Sequence, residues 1–101
     1  MRMMMIASLP VEQFNAAVKD GSTQAKMKKI MDQLKPEAAY FTALNGKRTA
    51  ILIVDLPDAS KIPSFAEPWF LTYNASVDFY PVMTPQDLGA AGLDGLGKQW
   101  G

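Results

Sequence analysis

The chain has 101 residues, 49% of them apolar and 20% charged, the composition of one folded domain and not of a disordered tail. Ten Lys and Arg balance ten Asp and Glu, so no net field favours nucleic acid, an anionic membrane or a strongly charged substrate. Cys and His are both missing, which excludes disulfides, thiolate and imidazole catalysis, Cys/His zinc sites and haem on a proximal His, and no cofactor is implied.

The start, Met1-Arg2-Met3-Met4-Met5-Ile6-Ala7, carries one basic residue and an apolar run too short for a signal peptide or a membrane span. A cytoplasmic location is the expectation. Residues 2 to 8 read as a strand, closed by Leu9-Pro10, with proline where a first helical turn tolerates a missing N–H. From Val11, Phe14 and Val18 recur at helical spacing up to Asp20-Gly21, and Met27, Ile30, Met31 and Leu34 then resume the stripe. This pattern predicts one helix with a kink or short interruption at Gly21.

Pro36 ends that helix. Ala39 to Leu44 then meets Lys47 to Asp55 across Asn45-Gly46, the dipeptide best suited to the two positive φ angles of a two-residue hairpin. A short helix from about Ser60 carries Ile62, Phe65 and Trp69 and is interrupted or kinked by Pro68. Asn74 to Met83 returns as a strand, with Ala75, Val77 and Phe79 on one face and Ser76, Asp78 and Tyr80 on the other. Thr84-Pro85-Gln86-Asp87 supplies an N-cap, an N1 proline and an N3 carboxylate. Residues 84 to 101 therefore form a helical extension of a domain spanning 1 to 101. Its glycines weaken it, while Leu88, Leu93, Leu96 and Trp100 need a surface to dock on.

Strands and helices in the order βαββαβ predict an α+β, ferredoxin-like fold with a four-stranded antiparallel sheet and the first and third strands in its centre. Met3 to Ile6 and Ala50 to Val54 are the near-continuous apolar runs, as central strands require, whereas the other two strands alternate with Thr, Ser and Asp. Two helices cover only one face of such a sheet. Either Ile51 and Ile53 or Leu52 and Val54 are left on the other, and a face-to-face homodimer is the expected way to cover them.

Stretches such as Lys35-Pro36-Glu37-Ala38-Ala39-Tyr40-Phe41, Asn45-Gly46-Lys47-Arg48, Glu67-Pro68-Trp69-Phe70 and Pro81-Val82-Met83-Thr84-Pro85-Gln86-Asp87-Leu88 resemble a largely uncharacterised bacterial family of the dimeric α/β-barrel superfamily. The resemblance covers most of the chain. It implies a fold and a dimer more than an activity, because that superfamily includes cofactor-free oxygenases, isomerases, haem-degrading enzymes and ligand-binding subunits.

Six residues are candidates for ligand contact. Tyr40 and Tyr80, on edge strands, offer phenol groups, with rim packing as the alternative. Asp78 lies between Val77 and Phe79 and is a candidate proton acceptor or a charge that guards an edge. Arg48 has the planar fork that fits a carboxylate, or keeps the hairpin end soluble. Glu67 beside Pro68 and Trp69 suggests the mouth of a pocket, or a helix-end ion pair. Lys26, Lys28 and Lys29, with Asp32, read as a solvated helix face, and the methionines as core.

The ferredoxin-like order is also that of RNA-recognition domains, but the first and third strands have no aromatic residue on which a base could stack, so nucleic acid is not an expected partner. Two readings stay open. One is a cofactor-free enzyme acting on a small, partly apolar molecule inside a dimeric barrel; the other is a non-catalytic ligand-binding or protein-interaction module.

Overall fold

The computed structural model of the protein describes residues 1–101. Its sheet has four antiparallel strands in the order β2-β3-β1-β4, where β1 is Arg2–Ser8, β2 Ala38–Leu44, β3 Lys47–Asp55 and β4 Ser76–Pro81. The two apolar runs thus occupy the centre. The α+β architecture is compatible with a ferredoxin-like fold.

Two helices, α1 (Val11–Asp20) and α2 (Thr23–Leu34), stand where one interrupted helix is predicted. Gly21 takes a left-handed conformation with φ 77°, and the amides of Gly21 and Ser22 close the last turn onto the carbonyls of Val18 and Ala17. Such a glycine ends a helix because it carries no Cβ to clash there. The Asp20 carboxylate is held below the usual carboxylate range first by the Ser22 side chain and then by the Ser22 amide, which donates to it at 2.8 Å. Asn45 and Gly46 have φ of 55° and 76° and pair Leu44 with Lys47, as the dipeptide predicts.

Asp58 opens a 3-10 turn over Ala59–Lys61, followed by α3 (Ile62–Tyr73). Pro68 lies inside α3 and removes one donor from its ladder. Asn74 ends the helix in a left-handed conformation, so β4 begins later than the alternation suggests.

The register assigns each face. Met3, Met5 and Ala7 of β1 pair with Val54, Leu52 and Ala50 of β3, and all six are buried beneath the helices. Phe14, Ile30, Leu34, Trp69 and Tyr73 complete this core. The Phe14 and Tyr73 rings meet at 5.2 Å between centroids, within the range of favourable aromatic pairs. Met27 and Met31 pack against the same cluster. On the polar face of α2, Lys28 pairs with Asp32 at 2.7 Å. Two further helices, α4 (Pro85–Gly89) and α5 (Leu93–Trp100), follow β4. No helix is long and apolar enough to cross a membrane.

Candidate functional site

Strand alternation puts Met4 and Ile6 of β1 and Ile51 and Ile53 of β3 on the face away from the helices. This settles which pair of β3 residues is left uncovered. The rows across that face follow from pairing. Tyr40, Ile51, Ile6 and Asp78 form one; Ala38, Ile53, Met4 and Tyr80 form the next; Thr42, Thr49, Ser8 and Ser76 form a third, made of hydroxyls. Four half-buried apolar residues are therefore framed by two exposed tyrosines, one exposed carboxylate and a polar row.

The six candidate residues divide among three places. Tyr40, Asp78 and Tyr80 share the open face. Arg48 belongs to the opposite face, because its position pairs with Ala43 at the hairpin end, and its guanidinium reaches α1. Glu67 and Trp69, two apart on α3, diverge: Trp69 is fully buried in the core, whereas Glu67 is exposed on the groove between α2 and α3. They do not form one pocket mouth. The Trp69 Nε1 has no hydrogen-bond partner.

Several cavities open on the helix side, and two of them take in candidate residues, Glu67 in one and Arg48 in the other. The groove between α2 and α3 encloses about 600 Å3 and is lined by Lys26, Lys29, Gln33, Ser64 and Glu67 among others. Its lysines and glutamate are exposed, and none of these charged groups is held in a hydrogen bond or an ion pair. The second cavity, about 500 Å3, is a cleft between the helix pair and the β2–β3 hairpin, lined by Leu9, Phe14, Met27, Phe41 and Ala43, with Thr23, Gln24, Thr42, Arg48 and Thr49. That volume falls within the range of small-molecule sites.

Arg48 is the only charged residue of this cleft. Its Nη1 donates to Asn15 Oδ1 at 2.8 Å, and its Cζ lies 5.1 Å from the centre of the Phe14 ring. The hydrogen bond fixes the guanidinium on one side, and the ring supports its plane. No carboxylate forms an ion pair with it, since the three ion pairs of the chain are Met1 with Asp55, Arg2 with Glu37, and Lys28 with Asp32. A positioned fork with unused N–H donors at the mouth of an apolar cleft is suited to an anionic head group on an apolar body.

Of the residues lining this cleft, Arg48 alone is a ligand-contact candidate by sequence. Phe14 and Met27 carry the signal of an ordinary helix stripe. Phe41 is 59% exposed, yet its pairing with Ala50 puts it on the helix side, beyond the area the helices cover. Only the relative placement of helix pair and hairpin turns these residues into a cleft. No group of three or more acidic side chains is close enough to share a metal ion. No family model matches this chain, and no curated protein matches it.

Proposed function

We propose that this protein is a binding module for a small molecule with an apolar body and an anionic head, held in the Arg48 cleft of each protomer of a homodimer. The observation that carries the reading is Arg48 itself, fixed by Asn15 and Phe14 and free of any acidic partner at the mouth of a largely apolar cleft. The lining offers the Thr23 hydroxyl and the Gln24 amide but no carboxylate, imidazole or thiol, so it supports binding better than acid–base conversion. The homodimer rests on the open face, where Met4, Ile6, Ile51 and Ile53 form an apolar patch that a second copy is shaped to cover. The resemblance to the dimeric α/β-barrel superfamily supports the same pairing.

Titration with decanoate and decanol, followed by calorimetry, tests the site. Decanoate binds and decanol binds at least tenfold more weakly, because charge-assisted hydrogen bonds contribute about 1.5–3 kcal/mol. Arg48→Ala abolishes the difference between the two probes while the melting temperature stays near that of the parent. Equal binding of both probes to the parent chain would show that Arg48 does not select a head group, and the proposal would fall.

A second reading has its own observation: Tyr40 and Asp78 share a row with two isoleucines, and Tyr80 stands one row away. Closing a second sheet over them would enclose phenols and a carboxylate among apolar walls, a setting for cofactor-free proton transfer. Turnover that is lost in Asp78→Asn and kept in Arg48→Ala favours this second site.

A further inference from the structure

The last stretch of the chain is ordered but stands apart from the body. Every residue from Pro85 to Gly101 is exposed. Beyond the bond from the Val82 amide to the Arg2 carbonyl, no hydrogen bond or ion pair ties this stretch to the rest, and those it makes are local. The Cα radius of gyration is 16.9 Å, against about 13 Å for a compact chain of this length. The longest dimension is 59 Å, so α4 and α5 form a projecting arm.

This arm is poorly suited to water. Leu93, Leu96 and Trp100 recur at helical spacing on α5 and are 57%, 44% and 81% exposed, and Gly97 lies on the same side of the helix. An eight-residue helix containing Gly95 and Gly97 is too short and too glycine-rich to hold its shape alone. Its apolar stripe requires a surface, and Gly97 lets a partner approach the helix backbone closely.

We propose that the arm is exchanged: α5 of each copy lays Leu93, Leu96 and Trp100 on the rim of the open sheet face of a second copy. The proposal rests on the pairing of open faces put forward above, and area gives the reason for adding the arm. Four strands about 4.8 Å apart, with seven residues at about 3.3 Å each, make a face of roughly 450 Å2, so two faces bury roughly 900 Å2 in total. Stable dimers bury at least about 1,200 Å2. Two arms about 12 Å long and about 10 Å wide add roughly 500 Å2 over both surfaces and bring the total into that range.

The two tryptophans make the test direct, because Trp69 is buried and Trp100 exposed in the single chain. The full chain, labelled with 5-fluorotryptophan, gives two fluorine resonances, and Trp100→Phe assigns them. With an exchanged arm, the Trp100 resonance is solvent-exposed in dilute monomer and loses its H2O/D2O isotope shift as light scattering reports dimer. Leu96→Ser then weakens association tenfold or more. A dimer whose Trp100 stays solvated overturns the exchanged arm and leaves the pairing intact. A chain that stays monomeric at millimolar concentration overturns both. Trp100 already shielded in the dilute monomer means that the arm folds onto its own sheet, which also refutes exchange.

Discussion

Ile53 and Val54 are neighbours on β3, yet exchanging each for serine should damage different properties. Val54 is fully buried and pairs with Met3 in the core. Val54→Ser removes apolar volume and strands a hydroxyl, together about 3–4 kcal/mol, which lowers the melting temperature by about 15–25 °C in a domain of this size. Ile53 is half-buried on the open face, paired with Met4 and Ala38, so covering the rest of its apolar side chain contributes about 1 kcal/mol at about 25 cal/mol per Å2. The proposed symmetric interface would lose this contribution twice, so Ile53→Ser should cost association about 2 kcal/mol, roughly a thirtyfold weaker dimer. The melting temperature of dilute protein barely changes. Thermal melts at low concentration and light scattering across a dilution series measure the two effects separately. A slip of the register by one residue would exchange the two phenotypes. That exchange, or an Ile53→Ser dimer as tight as the parent, would refute the assignment of faces.

Arg48→Lys keeps the charge but loses the planar fork, so decanoate binding weakens severalfold and less than in Arg48→Ala, as calorimetry would show. Gly46→Ala places a Cβ at φ 76°, where space is open but the left-handed backbone costs about 1–2 kcal/mol; chemical denaturation should report that loss with an unchanged slope. Asp87 is held below the usual carboxylate range, first by the Thr84 amide and then by the Thr84 side chain, in a capping box with bonds of 3.0 Å in both directions. Because its folded value is depressed, the stabilisation is present above the ordinary carboxylate value and is lost as pH falls through the folded value. Amide exchange at the start of α4 should accelerate over that acid range and in Asp87→Asn, while the core amides stay protected. Acceleration throughout the sheet would contradict the arm's independence of the body.

The helix boundaries show how far local signals reach. Asn45-Gly46 and Thr84-Pro85-Gln86-Asp87 specify their turn and cap by chemistry within a few residues, and the structure bears both out. Gly21 is the intermediate case, because the sequence marks a break but the left-handed conformation turns it into a full stop between α1 and α2. The expected end of β4 at Met83 moves to Pro81 because strand alternation does not record where pairing with β1 stops.

By itself the sequence determined the order of elements, the central place of the two apolar runs and the exclusion of His and Cys chemistry, all consequences of periodicity and composition. Tertiary structure alone decided which face Ile51 and Ile53 occupy, since alternation along one strand is symmetric until pairing and helix cover break it. It also decided that Tyr40, Asp78 and Tyr80 share a face while Glu67 and Trp69 part, and that Phe14, Met27, Phe41 and Arg48, far apart in the chain, enclose one cleft. Such juxtapositions depend on how a helix pair sits over a hairpin, a distance in space that no spacing in sequence encodes.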